Sequence, residues 1–204
     1  MQSEVVQLID KCIKETWLYD ISRDYHNFFL LKEDTLKNAF YYHLRRRLGD
    51  GFFEQNHLRI FTEYQYGSER IDLVIAQLNE KSEEGGHLQN KVNNLVAAIE
   101  MKYKGSTSDI PFLQDVQKVL RFIKEDPAGS CQVYLAFIQE VEFYDWTVEH
   151  SWLSIREQKQ TRGRLTELTH FWGSEIDKPR WNVRSYNGLN SALNTAPSLM
   201  AIVK

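Results

Sequence analysis

Asp72, Glu100 and Lys102 are the residue types and spacing that hydrolytic chemistry would need. In LVAAIEMKYKG the apolar run Leu95–Ile99 leads into Glu100, Met101 and Lys102. If that run is a buried strand, alternate side chains share a face, so Glu100 and Lys102 point together and Met101 points away. Asp72 stands in ERIDLVI among apolar neighbours, where an unpaired carboxylate is costly. Two carboxylates on adjacent strands repel each other unless a cation lies between them, and oxygen-only donors suit Mg²⁺ or Mn²⁺. Lys102 could then orient an attacking water. A Lewis acid, an activated water and a cation near the developing charge are the parts of metal-assisted phosphodiester hydrolysis.

Plainer readings stand beside these. Glu100 and Lys102 could form an edge-strand ion pair worth about 0–1 kcal/mol. Asp72 could be a structural acid paired with Arg70. The tripeptide alone decides little, because Glu157-Gln158-Lys159 repeats it in a polar, helix-forming stretch where the spacing has no special meaning. Context separates the two: a buried strand, an acid on the preceding strand and a helix behind.

The elements that must position these residues follow from hydrophobic periodicity. Val6, Ile9, Ile13 and Trp17 give an amphipathic helix over 3–19. KEDTLKNAFYYHLRRRLGDG gives a second helix, with Leu36, Ala39, Phe40, His43, Leu44 and Leu48 inward, acids at its start, arginines near its end and Gly49 after it. HLRIFTEYQYGSERIDLVIAQL alternates as a β-hairpin turning at Gly67-Ser68. Residues 79–94 are polar and read as an exposed insertion before the central strand. A helix from about Pro111 to Asp126 puts Ile110, Leu113, Val116, Leu120 and Ile123 inward, with Pro127 closing it. CQVYLAFIQEV is a further buried strand. Beyond Asp145, SWLSIREQKQTRGRLTELTHFWG reads as mainly helical and PRWNVRSY as a last short strand. From residue 33 the order is α-β-β-β-α-β, within a single domain spanning 1–204.

Composition narrows the function classes. With 204 residues, 42% hydrophobic and 13% aromatic, the chain can bury a sizeable core. A net charge of −3 excludes a generally basic coat, so nucleic-acid contact would need a local patch or a bound cation. Two cysteines, Cys12 and Cys131, make neither a disulfide framework nor a zinc site. No run approaches the roughly 20 apolar residues of a membrane span. The expectation is a soluble, cytoplasmic protein with no membrane contact, and with room for a protein partner or a homodimer.

The constellation resembles the PD-(D/E)XK nuclease superfamily, whose core has this element order. The family motif is an acid on the second core strand, then acid, any residue and lysine on the third; Asp72 and Glu100-Met101-Lys102 match it. Glu33 matches a glutamate that many members carry on the first core helix, although acids at helix starts also serve the helix dipole. Gln114, Asp115 and Lys118 match polar residues that often follow on the next helix; Asp115 and Lys118 could equally pair with each other. The resemblance covers about residues 33–140. It implies a mixed α/β sheet flanked by helices, a restriction-endonuclease-like core, and Mg²⁺-dependent hydrolysis of DNA leaving a 5′-phosphate and a 3′-hydroxyl. Asp72, Glu100 and the Met101 carbonyl would hold the metal, Lys102 would serve the water, and Glu33 would assist. Arg45-Arg46-Arg47 could complement the helix dipole or contact phosphates, and Glu63 reads as a solvated strand residue or a second nearby acid.

Overall fold

The computed structural model describes residues 3–79, 91–105, 108–126, 129–143, 151–173 and 180–186. Six strands lie in one sheet in chain order: β1 (Leu58–Tyr66), β2 (Glu69–Leu78), β3 (Val92–Lys104), β4 (Gln132–Phe143), β5 (Leu165–Gly173) and β6 (Arg180–Ser185). β1, β2 and β3 run antiparallel, β3 to β5 parallel, and β6 antiparallel to β5. Parallel neighbours need a crossover, and the helix Ile110–Glu125 lies in the one between β3 and β4. The chain is therefore α/β with a mixed sheet.

Helices cover both faces. The N-terminal helix α1 (Ser3–Glu15) passes through a π-helical turn (Thr16–Ile21) into α2 (Ser22–His26), longer than the helix expected over 3–19. Its Ile9, Ile13 and Trp17 are buried as expected and share a core with Leu36, Phe40 and Leu44 of α3 (Glu33–Leu48) and with Leu73, Ile99 and Met101 of the sheet. Gly49 ends α3 at φ 79°, a conformation that glycine adopts without a Cβ clash, and the short α4 (Asp50–Gln55) follows. The hairpin turns where expected, between Tyr66 and Glu69, with Gly67 at φ 57°.

The opposite face is covered by α5 (Ile110–Glu125). Its buried set is Phe112, Val116, Val119, Leu120, Phe122 and Ile123, while Ile110 and Leu113, expected inward, are 63% and 45% exposed. The aromatic rings set the helix rotation: Phe112 packs on Phe137 and Trp152, and Phe122 on Tyr66. That rotation brings Asp115 and Lys118 onto the flank facing β3.

Two boundaries differ from expectation. Val92–Asn94 belong to β3, so the strand begins before Leu95; residues 80–90 of the expected insertion, and Pro127, lie outside the described residues. The segment expected to be mainly helical beyond Asp145 holds only one short helix, α6 (Ile155–Gln160), and then β5. Thr166, Glu167, Thr169 and His170 are all buried in β5, so the alternation that marks a strand is absent from its sequence. The final strand falls at Arg180–Ser185, as expected. Trp152 and Trp181 are core residues, and Trp146 lies outside the described residues. Among the described residues no helix is long and apolar enough to cross a membrane.

Candidate functional site

The sheet forks beside its central strand. The β2–β3 register runs from Leu78↔Val92 to Leu73↔Ile99 and stops there. Asp72 and Glu100 would come next and are not paired with each other. β2 nevertheless stays with β1 as far as Tyr66↔Glu69, and β3 stays with β4 as far as Lys104↔Gln139. Asp72 spans the opening: its Oδ2 accepts the Met101 amide N–H at 2.8 Å. A side chain thus satisfies a backbone donor that strand pairing leaves unmet.

Into this fork come side chains from both helical layers. From α5, the Lys118 ammonium donates to Glu100 Oε1 at 2.6 Å. Asp115, one turn earlier, pairs with Lys102 at 2.9 Å, and Glu33 at the start of α3 reaches the same ammonium at 3.1 Å. One turn along α3, Lys37 pairs with Asp72 Oδ1 at 3.0 Å and also binds Glu63. Five acids and three lysines from five elements therefore interlock. Asp115 and Lys118 do not pair with each other; each reaches across to β3.

Burial and charge set the protonation of this cluster. Glu100 is 3% exposed, and its Oε2 has no hydrogen-bond partner among the described residues. Burial, then the neighbouring Asp72 charge, pushes the Glu100 carboxyl up to about 8 against the pull of Lys118. Asp115 is raised too, by burial, with Lys102 opposing. Burial alone would depress the Lys102 ammonium, yet pairing with Asp115 and Glu33 holds it above the usual lysine value. Lys37 is raised likewise, because its bonds to Glu63 and Asp72 outweigh the cost of burial.

Asp72, Glu100, Lys102, Glu33, Asp115 and Lys118 are thus brought together. Gln114 is exposed on α5 and takes no part in these ion pairs. Arg70 pairs with Glu63 at 2.7 Å, not with Asp72. Of the three arginines, Arg45 pairs with Asp50 and Arg47 with Asp20 and Glu15, while Arg46 is exposed. The second E-x-K match lies in α6, where Glu157 caps the helix through Ser154.

Lys37 was missed in the sequence; Glu63, read there as a solvated strand residue or a second nearby acid, shares Lys37 with Asp72. The available signal was spacing, since Lys37 lies at i+4 from Glu33 and so on the same helix face. Glu63 has φ 54° inside a strand, a left-handed conformation unusual for a non-glycine residue, and the β1–β2 register passes from Thr62↔Leu73 to Tyr64↔Ile71 without pairing it.

Two carboxylates and a nearby main-chain carbonyl, that of Met101, are donors of the kind Mg²⁺ and Mn²⁺ take, and such ions keep several waters. The unpartnered Glu100 Oε2 is the free acceptor such an ion would use. Among the described residues no three His, Cys, Asp or Glu side chains converge as a metal-holding group, so water and carbonyl oxygens would complete the shell. Compared with family models, curated proteins and solved structures, the chain finds no match, and its function rests on this geometry.

Proposed function

We propose that the chain is a metal-dependent nuclease with a restriction-endonuclease-like core, hydrolysing phosphodiester bonds in DNA. The observation that carries this reading is the fork: Asp72 and Glu100 are the residues at which the β2–β3 pairing ends, with Lys102 one strand period beyond and a buried Glu100 oxygen left over. A bound Mg²⁺ or Mn²⁺ would supply Lewis-acid charge and lower the pKa of water. Asp72, already aimed by the Met101 amide and Lys37, and Glu100 would hold it. Lys102 would orient the attacking water and offset charge developing on phosphate. Glu33 and Asp115 would aim the Lys102 ammonium from two sides.

A second reading has an observation of its own. Lys37, Lys102 and Lys118 already neutralise the acids without any metal. That favours a nuclease-like fold used as a binding or interaction module. The purified protein decides between them: it should nick or degrade DNA with Mg²⁺ or Mn²⁺ and be silent in EDTA. If it cuts neither single- nor double-stranded DNA or RNA across a broad metal and pH screen, the module reading replaces the enzyme.

A further inference from the structure

Lys37 is placed to do more than balance charge in the fold. It sits on α3, in the layer opposite α5, and its side chain reaches the fork nearly buried, at 10% exposure. Its ammonium joins two acids from neighbouring strands, Asp72 on β2 and Glu63 on β1. A buried ammonium is retained only where its partners hold it. Here one partner is itself held in a left-handed backbone conformation inside a strand. Glu63 has a second cation, Arg70, but among the described residues Asp72 is bonded only by Lys37 and the Met101 amide.

A divalent ion held by Asp72 would therefore meet a resident positive charge already bonded to the same carboxylate. Like charges a few ångströms apart in a partly desolvated site repel strongly. Lys118 stands in the same relation to Glu100, but there the second oxygen, buried, has no hydrogen-bond partner among the described residues. Both Asp72 oxygens are taken, one by Lys37 and one by the backbone. Displacing or sharing Lys37 is thus the step on which binding at Asp72 turns.

We propose that Lys37 is the residue that sets the divalent-ion requirement of this site, a tethered cation that a metal must displace from Asp72. This inference rests on the metal-site reading above. It goes beyond that reading by assigning a role to a residue outside the D…E-x-K motif and by fixing the sign of its effect.

The test is the Mn²⁺ dependence of the melting temperature, which needs no turnover. Lys37→Gln keeps a hydrogen-bond donor for Asp72 and removes only the charge; Lys37→Arg keeps the charge. Lys37→Gln should reach any given Mn²⁺-induced rise in melting temperature at a concentration at least about tenfold lower than wild type, while Lys37→Arg should match wild type. A shift seen in Lys37→Gln and not in wild type would support the same role. Lys37→Met provides a second neutral variant should the glutamine fold poorly. If wild type shifts with Mn²⁺ and the neutral variants need as much Mn²⁺ or more, the role of Lys37 is overturned while the metal site stands. If neither wild type nor the neutral variants respond, both fall together.

Discussion

Two buried ionic clusters in this molecule differ in how they are built. On the N-terminal side, Lys14 and Asp10 pair at 2.7 Å with side chains 1% and 2% exposed, and the Tyr134 hydroxyl donates to the other Asp10 oxygen. The pair lies within one helix at i,i+4, so α1 sets its geometry, and β4 completes it. At the fork of β2 and β3 the partners come from distant parts of the chain, one acid occupies a left-handed position and Glu100 keeps an unpartnered oxygen. The first arrangement is complete as it stands. The second leaves acceptor capacity and strain unused by the fold, which is where chemistry is expected.

The sharpest contrast between the clusters lies in what removal of a lysine does. Lys14→Met should strand a buried carboxylate and cost roughly 3–5 kcal/mol, lowering the melting temperature by about 6–20 °C with no change in the Mn²⁺ response. Lys102→Ala should keep most metal binding and abolish turnover. Glu100→Ala should instead lose metal binding and activity together. Calorimetric Mn²⁺ titration beside a DNA-cleavage assay checks all three. Equal loss of metal affinity in the Lys102 and Glu100 variants would mean that their roles are misassigned.

The Glu100 carboxyl is raised in the folded protein, to about 8, above the ordinary glutamate value. The folded state therefore binds a proton that the unfolded chain has lost, and this contribution to stability falls as pH rises from about 4.5 through 8. Without metal, the melting temperature should drop by several degrees over that window, and Glu100→Gln should flatten the drop. An unaltered pH slope in Glu100→Gln would show that other groups set it.

How much of this was legible beforehand follows from what each feature depends on. Asp72 and the Glu100–Lys102 pair stood out because polar residues interrupt apolar strands, a signal carried by a period of two. The α-β-β-β-α-β order was legible for the same reason. The reach of Lys118 to Glu100 was not, because it depends on the rotation of α5, and a stripe through Ile110 and Leu113 fits the helical period as well as the buried one through Phe112 and Phe122. Lys37 was hidden because a lysine on a helix ordinarily reads as solvated. β5 was hidden because its Thr, Glu and His side chains are buried too.

The smallest expected effect sharpens the boundary of the site. Glu33 touches Lys102, whereas Asp34, its neighbour, pairs with Lys32 at 70% exposure. Adjacent helix positions diverge by about 100°, so the two acids face different surroundings. Glu33→Gln should cut turnover strongly at little cost in stability. Asp34→Asn should change stability by no more than about 0.5 kcal/mol and leave cleavage intact. Full activity in Glu33→Gln would remove that residue from the site.

Everything above depends on the fork being a divalent-cation site, and one measurement asks that directly: the melting temperature of the wild type and of Asp72→Asn across a Mn²⁺ titration. A ligand that binds only the folded state stabilises it by mass action, by about 2.7 kcal/mol at a hundred times its Kd. The wild type should therefore melt several degrees higher at Mn²⁺ about a hundredfold above its Kd, and Asp72→Asn should lose that rise while remaining folded. A wild type indifferent to Mn²⁺, or an Asp72→Asn variant that keeps the full rise, would contradict the assignment.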